Sequence, residues 1–445
     1  MLRIVDNYLN DWKNSGERQS LIIRGARQIG KTTAVRKLGQ SFEHFVEIDF
    51  EKMQQAHAAF STDLDPKRII SDLNFLTHKS ITPGKTLLFL DEIQACPRAL
   101  TSLRYFYELM PELHVIAAGS LLDFAIEQVG IPVGRVQFLH MYPMTFQEFL
   151  LAQDETFLID HIMQHDLMQP YSNIAHEKAL RLFGEYIAIG GMPKAVASWC
   201  EKRDYTACMT MHHDLITAYK QDFEKYAKKS QIKYLDVVFS KAPFQLGKQF
   251  QYKQISEAYR KRELEPALLL LEKANIITKT MQTSAQSLPL AAQTNPECFK
   301  INMIDVALAQ TILGLTSEQW IFDINAAFIN KGMIAENFVG QELLAYSNPC
   351  QENHLYFWRR NKHGSEAEID YVIAQSGKII PIEVKSGKGS TLKSTHLFLN
   401  EHPQTPYGIR FSTQNYSLHE KIKSYPLYAV MRAAADWSRF HLIDK

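Results

Sequence analysis

Cysteine is scarce and unpatterned in this sequence. Its five cysteines are odd in number, scattered, and never arranged as Cys-x-x-Cys: Cys96, Cys200, Cys208, Cys298 and Cys350. This spacing argues against both a disulfide framework and a zinc site. We therefore expect reduced thiols in a cytoplasmic protein.

Net charge is nearly absent as well. Forty-nine Lys and Arg residues balance 48 Asp and Glu residues, which leaves a formal charge of +1. The whole chain has no electrostatic field that would by itself capture nucleic acid, so any DNA contact must be a local basic patch.

Long hydrophobic runs are also missing. Residues 1–20 lack the apolar stretch of a signal peptide, and no later segment approaches the roughly 18 apolar residues of a membrane span. We therefore expect no membrane partner. The composition is otherwise globular, with 46% hydrophobic and 22% charged residues in 445. At roughly 150 residues per domain, this length indicates about three units.

Short apolar runs alternate with amphipathic helical stretches in the first third of the chain. The runs are LIIR from 21, HFVEIDF from 44, TLLFLDE from 86, LHVIAAGS from 113 and VQFLHMY from 136. Such alternation predicts an α/β domain with a parallel sheet between two layers of helices. Ligands of these sheets bind at the carboxyl ends of the strands.

A glycine-rich segment, GARQIGKTT, lies between the first apolar run and a helical stretch. Its glycines let backbone N–H groups face phosphate oxygens, while Lys31 reaches the outer phosphates and Thr32 holds magnesium. The pattern predicts a P-loop for ATP made of Gly25, Ala26, Arg27, Gln28, Ile29, Gly30, Lys31, Thr32 and Thr33.

The run LLFLDE supplies a complementary pair of acids. Asp91 is placed to orient Mg²⁺ and Glu92 to polarise the attacking water, which predicts ATP hydrolysis. Ser120, after the next run, is a candidate γ-phosphate sensor or a helix N-cap, and both interpretations stay open. Arg135 is a candidate arginine finger for the same or a neighbouring nucleotide, or an ordinary surface arginine.

These segments together resemble a bacterial AAA-type ATPase family, related to archaeal ATPases and STAND-type signalling ATPases. The resemblance spans nearly the whole chain and is carried by the P-loop, LLFLDEIQACPRAL, AAGSLLDF, VGRVQFLHMYPMTFQEFL and GGMPKAV. It implies a five-stranded ATPase core at 1–160, a helical lid at 161–230 and a C-terminal domain of unknown function.

Gly190, Gly191 and Pro193 match the GGxP turn that this family has at its lid. The turn has no clear arginine to act as a second sensor, and Lys194 is the candidate substitute. The resemblance therefore leaves the contact between lid and nucleotide open.

Residues 231–285 show two short helical patterns and a β-prone tail, which predict a winged helix-turn-helix. Lys253, Arg260, Lys261 and Arg262 cluster near its turn. They are candidate DNA phosphate contacts, or the solvated face of a domain that packs on a partner. Residues 286–330 are expected to be a connecting segment.

Residues 331–445 begin with a helical stretch and continue with apolar strands that carry Asp370, Glu383 and Lys385. In Glu-x-Lys on a strand, both side chains project to one face. The set suits phosphodiester hydrolysis, with Asp370 and Glu383 holding one or two Mg²⁺ ions and Lys385 orienting water. Glu336 on the preceding helix is a further candidate ligand, and Glu366 or Glu368 is its alternative.

This C-terminal region resembles the restriction-endonuclease-like PD-(D/E)xK fold, although Ile369 stands where that motif often has proline. The alternative is that the fold persists without cleavage and that Glu383 and Lys385 form a plain charge pair.

The sequence as a whole predicts an ATP-hydrolysing protein whose nucleotide state controls a nuclease-like domain acting on DNA. Two rival interpretations remain. One is a non-catalytic regulator that binds nucleic acid or a partner protein. The other is a STAND-like signalling scaffold that forms a homo-oligomer on ATP, with Arg135 acting across subunits.

Overall fold

The structure is a computed structural model that describes residues 1–130, 134–227, 229–315, 318–322, 332–362, 365–385 and 392–433. The chain divides into two compact units. The first contains residues 2–142 and 348–352, and the second lies within 143–347 and 353–443. Among the described helices, none combines the length and the apolar character that a membrane crossing requires.

Strands and helices alternate in the first unit. Its strands are β1 (Ser20–Arg24), β2 (His44–Asp49), β3 (Thr86–Asp91), β4 (His114–Ala118) and β5 (Val136–His140). Its helices are α1 (Ile4–Asn14), α2 (Lys31–Gly39), α3 (Pro66–Thr77), α4 (Pro97–Leu109) and α5 (Leu122–Val129), with 3₁₀ turns at Gln54–Phe60 and Ile93–Ala95. All five strands coincide with predicted apolar runs.

The five strands form one parallel sheet in the order β2-β3-β4-β1-β5. All six residues of β3 are buried, as expected for a strand covered on both faces. Along β5, the backbone N–H of His140 also donates to the carbonyl oxygen of Pro349 in the segment 348–352. The carboxyl ends of all five strands therefore share one edge, where the predicted nucleotide residues must meet if the prediction holds.

The second unit starts with helices and ends with two sheets. Its helices are α6 (Phe146–Ala152), α7 (Thr156–Gln164), α8 (Asn173–Ile189), α9 (Pro193–Lys202), α10 (Tyr205–Tyr226), α11 (Lys229–Lys241), α12 (Tyr252–Ile255), α13 (Lys261–Lys273), α14 (Val306–Leu313), α15 (Gln319–Phe322), α16 (Gly332–Ala345) and α17 (Lys393–Glu401). Its 3₁₀ helices are Ala242–Gln245, Leu290–Gln293 and Leu427–Ala433.

The strands of this unit are β6 (Ile277–Thr283), β7 (Thr294–Met303), β8 (Leu355–Lys362), β9 (Ser365–Ile369), β10 (Tyr371–Gln375), β11 (Lys378–Val384), β12 (Gly408–Ser412), β13 (Ser417–His419) and β14 (Ile422–Pro426). One sheet has the order β7-β6-β8-β9, and the other has the order β10-β11-β12-β14-β13. The turn between β9 and β10 joins them, and it holds Asp370.

The expected connecting segment at 286–330 contributes a strand to the first of these sheets. Strand β7 lies inside that segment and pairs with β6, while β6 pairs in parallel with β8 from beyond the expected boundary at 331. The last six residues of β7 are buried without alternation, so its sequence lacks the period of a half-exposed strand.

Helices α12 and α13 and strand β6 lie where the winged-helix prediction expects two short helices and a β-prone tail. However, β6 also pairs with β8, so the strand pair belongs to a larger sheet and is not a free wing. The winged helix therefore stays a prediction.

Candidate functional site

The loop between β1 and α2 depends on two glycines with positive φ. Gly25 has φ +140°, and a Cβ there would collide with the carbonyl oxygen of Met141. Gly30 has φ +97° and is the N-cap of α2, where its left-handed conformation suits glycine. The chain therefore curls just before the helix N-terminus, as a phosphate-binding loop requires.

The other predicted loop residues lie in the same turn or in the first turn of α2. Ala26 and Ile29 are buried, Arg27 is half-buried, and Gln28 and Thr33 are exposed. The apolar residues thus anchor the loop, and the polar residues lie on its solvent side.

Lys31 is buried in the loop, and its hydrogen-bond acceptors among the described residues are neutral carbonyl groups. Its Nζ donates to the carbonyl oxygens of Gly25 at 2.9 Å and Ala26 at 2.8 Å. Burial lowers the pKa of Lys31 to about 8, although the charges of Glu92 and Asp91 oppose that shift. Because no carboxylate is bonded to it, the ammonium can exchange these carbonyls for phosphate oxygens.

Thr32 and Asp91 are brought together from segments 59 residues apart. Thr32 Oγ1 donates to Asp91 Oδ2 at 2.8 Å. Burial raises the pKa of Asp91 to about 6, and the Thr32 hydrogen bond limits the rise. A hydroxyl and a carboxylate in contact are oxygen donors of the kind that Mg²⁺ prefers.

Glu92 follows Asp91 in a left-handed conformation, with φ +50°. Gln94 Nε2 donates to Glu92 Oε2 at 2.7 Å and so fixes that carboxylate. A Cβ on Gly119 would collide with Gln94 Oε1, so the chain after β4 approaches this amide closely. The sequence analysis did not identify Gln94 as a site residue.

Ser120 lies buried just beyond the carboxyl end of β4, the strand next to β1. The N-cap of α5 is the next residue, Leu121. The structure therefore does not use Ser120 as that cap, and the sensor interpretation stays a prediction.

Arg135 lies at the opposite edge of the sheet from the P-loop. In the parallel pair β1 and β5, Ser20 is level with Val136 and Arg24 with His140. Arg135 precedes β5, so it is about 16 Å from the P-loop edge at roughly 3.3 Å per residue. Its Nε donates to Glu108 Oε1 at 2.7 Å. The structure does not bring Arg135 to the P-loop of its own unit, and action on a neighbouring subunit stays a prediction.

The second unit contains a cleft of about 420 Å³ that collects the predicted C-terminal residues Asp370, Glu383 and Lys385, together with Glu368. Asp370 Oδ2 accepts the backbone N–H of Val384 at 2.8 Å, which ties the turn after β9 to the end of β11. The predicted spacing therefore does place these side chains around one cavity.

Glu383 is 2% exposed, and its two carboxylate oxygens have different surroundings. Oε1 pairs with the ammonium of Lys385. Oε2 has no hydrogen-bond partner among the described residues. Burial, reinforced by the charge of Asp370, raises the pKa of Glu383 to about 8.

Lys300 on β7 is a member of this cluster that the sequence analysis missed. It is 2% exposed, and its Nζ lies 2.9 Å from Glu336 Oε1, 2.6 Å from Glu368 Oε1 and 3.7 Å from Asp370 Oδ1. Burial alone would lower the pKa of Lys300, but these acids hold it well above its ordinary value. The one available signal was a single charge within the apolar run CFKINM.

Glu336 extends from α16 and is positioned by its backbone as well as by Lys300. Tyr371 Oη donates to the Glu336 carbonyl oxygen at 2.9 Å and accepts from Asn302 Nδ2 at 2.7 Å. A Cβ on Gly340 would collide with both of these side chains, which explains a glycine in the middle of a helix. Burial raises the pKa of Glu336 to about 7.

Across the described ranges, no group of three or more Asp, Glu, His or Cys side chains is arranged to hold a metal ion. The metal assignments of Thr32, Asp91, Glu336, Asp370 and Glu383 stay predictions. Glu366, the alternative third acid, is exposed at the mouth of the cleft near Arg359.

The far end of α16 carries a second buried acid, Glu342. Its Oε1 accepts the backbone N–H of Phe146 at 3.0 Å and lies 3.4 Å from Tyr186 Oη. Burial raises the pKa of Glu342 to about 8. Helix α16 thus joins the acid cluster to the start of α6.

The GGxP turn is used for packing within the second unit. A Cβ on Gly191 would collide with the Met144 carbonyl oxygen, and its N–H donates to Asp305 Oδ2 at 2.6 Å. A Cβ on Gly190 would collide with Asp305 as well. Lys194 is exposed in the first turn of α9.

Three family models match successive parts of the chain. A model described as an AAA domain matches residues 17–150, the domain of unknown function DUF8612 matches 180–319, and the domain of unknown function DUF4143 matches 331–430. The AAA-type prediction is thus confirmed for the first of these segments. The third match assigns no activity to the C-terminal region, so its nuclease-like character stays a prediction. No curated protein matches the chain.

Solved structures similar to the chain include the Walker-type ATPase PABY2304 of Pyrococcus abyssi, at 14% identity and TM-score 0.42 over 69% of this chain and 94% of that one. The Orc1 protein of Aeropyrum pernix in complex with DNA has 12% identity and TM-score 0.31, covering 71% and 93%. The Hsp104–ADP complex of S. cerevisiae has 13% identity and TM-score 0.28, covering 78% and 44%. These scores are too low to carry an argument about function.

Proposed function

Since residues 17–150 are an AAA domain, we propose that the first unit hydrolyses ATP and that its nucleotide state controls phosphodiester chemistry in the C-terminal cleft. The observation that supports the first part best is the 2.8 Å hydrogen bond between Thr32 and Asp91, beside the buried Lys31. This bond joins Thr32, the residue after the P-loop lysine, to Asp91, the acid that ends β3.

Each residue of this site has a distinct task. Lys31 leaves its carbonyl partners and binds the outer phosphates. Thr32 and Asp91 would hold Mg²⁺, whose chemistry there is to neutralise charge on the phosphates. Glu92, fixed by Gln94, accepts a hydrogen bond from the attacking water and orients it.

A phosphate-release assay tests this part of the proposal. Lys31→Ala and Glu92→Gln should each lower the rate by about a hundredfold or more, because one removes phosphate binding and the other the base. Lys37→Ala is the matched control, since this exposed lysine lies on the same helix and pairs with Asp6. Hydrolysis at the parent rate in both site variants would show that the first unit is not an ATPase.

The second part of the proposal is supported by the meeting of Asp370, Glu383 and Lys385 in one cleft. Glu383 Oε2 is buried and has no hydrogen-bond partner among the described residues, and a carboxylate oxygen is a donor of the kind that a divalent cation binds. Asp370 and Glu383 would hold a divalent cation, whose chemistry is to activate water and stabilise charge on a phosphodiester. Lys385 orients that water, while Lys248 and Arg359 line the cleft and attract the DNA backbone.

DNA substrates of several structures, incubated with Mg²⁺ or Mn²⁺ and with or without ATP, test cleavage. Lys385→Ala should abolish it, whereas Lys378→Ala should not, because Lys378 is an exposed lysine at the other end of β11, the strand that Lys385 follows. A rate that differs between ATP and a non-hydrolysable analogue is expected if the nucleotide state controls the cleft. Intact substrate under all conditions, or equal cleavage by Lys385→Ala, would remove the nuclease claim.

A second candidate is a non-catalytic regulator that binds nucleic acid or a partner. It is supported by the exposure of Arg260, Lys261 and Arg262 at the start of α13, although Glu297 Oε2 lies 2.5 Å from Lys261 Nζ and neutralises part of their charge. The triple variant of Arg260, Lys261 and Arg262 to alanine should bind DNA more weakly and with a shallower salt dependence. Unchanged affinity and salt slope would rule out this patch.

A third candidate is the ATP-driven scaffold, which the amino-edge position of Arg135 favours because an exposed arginine there is accessible to a neighbouring subunit. Light scattering after size-exclusion chromatography, with and without a non-hydrolysable ATP analogue, tests it. An unchanged mass would exclude the scaffold.

A further inference from the structure

We propose that Lys300 is a positioning residue that makes the C-terminal cleft a site for one divalent cation and not two. Its ammonium neutralises Glu336 and Glu368, which leaves Asp370 and Glu383 to bind the cation. The inference rests on the proposed metal-dependent function of this cleft and specifies which acids bind the cation and which acids pair with Lys300.

Lys300 is held among the acids by the fold itself. It belongs to a strand paired with β6, it is 2% exposed, and its Nζ lies 5.3 Å above the ring centre of Phe357. A buried ammonium that loses a charged partner is left without compensation for its lost hydration. Glu336 and Glu368, at 2.9 and 2.6 Å, are those partners.

The two remaining acids each keep an oxygen available. Asp370 uses Oδ2 to accept the Val384 N–H, and its Oδ1 lies 3.7 Å from Lys300 Nζ, beyond hydrogen-bond distance. Glu383 uses Oε1 for Lys385, while its buried Oε2 has no hydrogen-bond partner in the described part of the chain. Both residues line one cleft, and carboxylate oxygens are suitable ligands for a hard cation.

The charges of the cluster agree with a single ion. When ionised, four carboxylates and the ammonium groups of Lys300 and Lys385 sum to a charge of −2, which one divalent cation balances. A second cation between Glu336 and Glu368 would share those carboxylates with an ammonium group. Repulsion between that ammonium group and a second cation at such distances opposes its binding.

Mn²⁺ titration of the full-length protein without nucleotide, followed by the electron paramagnetic resonance of free Mn²⁺, tests the proposal. The Mn²⁺ ions counted as bound in the cleft are those whose binding is lost in the Asp370→Asn variant. Wild type should bind one, and Glu383→Gln should weaken it by about a hundredfold or more. Glu336→Gln and Glu368→Gln should each weaken it by less than about tenfold, because these acids act outside the ligand set.

Lys300→Met removes the ammonium at similar side-chain length. It should allow a second Mn²⁺ ion, or bind the first at least about tenfold more tightly, since the repulsion has gone. The glutamine variants retain Lys300, so they decide the question even if Lys300→Met does not fold.

Two results would overturn the inference while leaving the metal site intact. One is a loss in Glu336→Gln or Glu368→Gln as large as that in Asp370→Asn. The other is a folded Lys300→Met with unchanged number and affinity of ions. A different result, in which Asp370→Asn removes no ion from either wild type or Lys300→Met, would reject the metal-dependent function and the inference with it.

Discussion

The P-loop and the C-terminal cleft each contain a buried lysine, but the two ammonium groups have different partners. Lys31 donates to backbone carbonyls, which are neutral, whereas Lys300 lies between carboxylates. Burial lowers the pKa of Lys31 to about 8, while the acids hold that of Lys300 well above its ordinary value. A lysine with neutral partners is ready for an anionic ligand, and a lysine inside an acid cluster is already neutralised.

The largest expected effect separates the chemistry of the two sites. Asp91→Asn should lower phosphate release by about a thousandfold, because the proposed Mg²⁺ ligand that Thr32 contacts loses its charge. This factor corresponds to about 4 kcal/mol of transition-state stabilisation. Nucleotide-free Mn²⁺ binding in the cleft should not change. Asp370→Asn should do the reverse, abolishing that Mn²⁺ binding while basal phosphate release continues. Loss of both properties in either variant would show that the two sites are not separable.

The next effect tests the partners of the two lysines directly. Lys300→Met should lower the free energy of unfolding by about 3–5 kcal/mol, because breaking a buried ion pair leaves uncompensated charge. Lys31→Met should change it by less than about 1 kcal/mol, since lost hydrogen bonds and relieved desolvation oppose each other. Amide hydrogen exchange in β7 measures the local loss of stability in Lys300→Met, and exchange in α2 measures that in Lys31→Met. Equal losses of stability at β7 and at α2 would contradict the comparison.

Glu342 extends the comparison to an acid with neutral partners. Its pKa is raised from 4.5 to about 8 by burial, so the stability from its protonated form is complete below pH 4.5 and is lost as pH rises through about 8. Between pH 6 and 8 the parent should lose about 2 kcal/mol that Glu342→Gln retains. Urea denaturation at a series of pH values measures this difference. Parallel pH profiles of the two proteins would show that Glu342 is ionised throughout.

The smallest effect concerns an exposed lysine with an acid partner. Lys261 Nζ lies 2.5 Å from Glu297 Oε2, but water screens this pair. Lys261→Ala should leave the urea midpoint unchanged, in contrast to Lys300→Met. A comparable shift in both would mean that burial is not what distinguishes the lysines.

The sequence contained strong local signals for the first unit. Buried apolar runs predicted strands β1 to β5, and Gly25 and Gly30 predicted the loop. Both signals are local, because each depends on residues only a few positions apart in the sequence. The position of Arg135 also follows from the direction of β5, because a residue that precedes a strand of a parallel sheet lies at the amino edge of that sheet.

No comparable local signal predicted the role of Lys300. Its partners Glu336 and Glu368 are 36 and 68 residues further along the chain. Glu368 meets it through the pairings of β7 with β6, β6 with β8 and β8 with β9, and Glu336 meets it from helix α16. In the sequence alone, the buried run of β7 lacks the alternation of a half-exposed strand, and nothing indicates which residues are the partners of its lysine. The cluster is therefore a product of tertiary structure.

Helix α16 spans the distance between two hydrogen-bonded ends. Glu336 and Glu342 are six residues apart, or about 9 Å at 1.5 Å per residue. At one end the helix binds Lys300, and at the other it binds the first amide of α6. Because backbone hydrogen bonds make the helix one rigid segment, Glu336 and Glu342 keep a fixed separation. The acid cluster and the first residue of α6 are therefore bound to the same rigid segment.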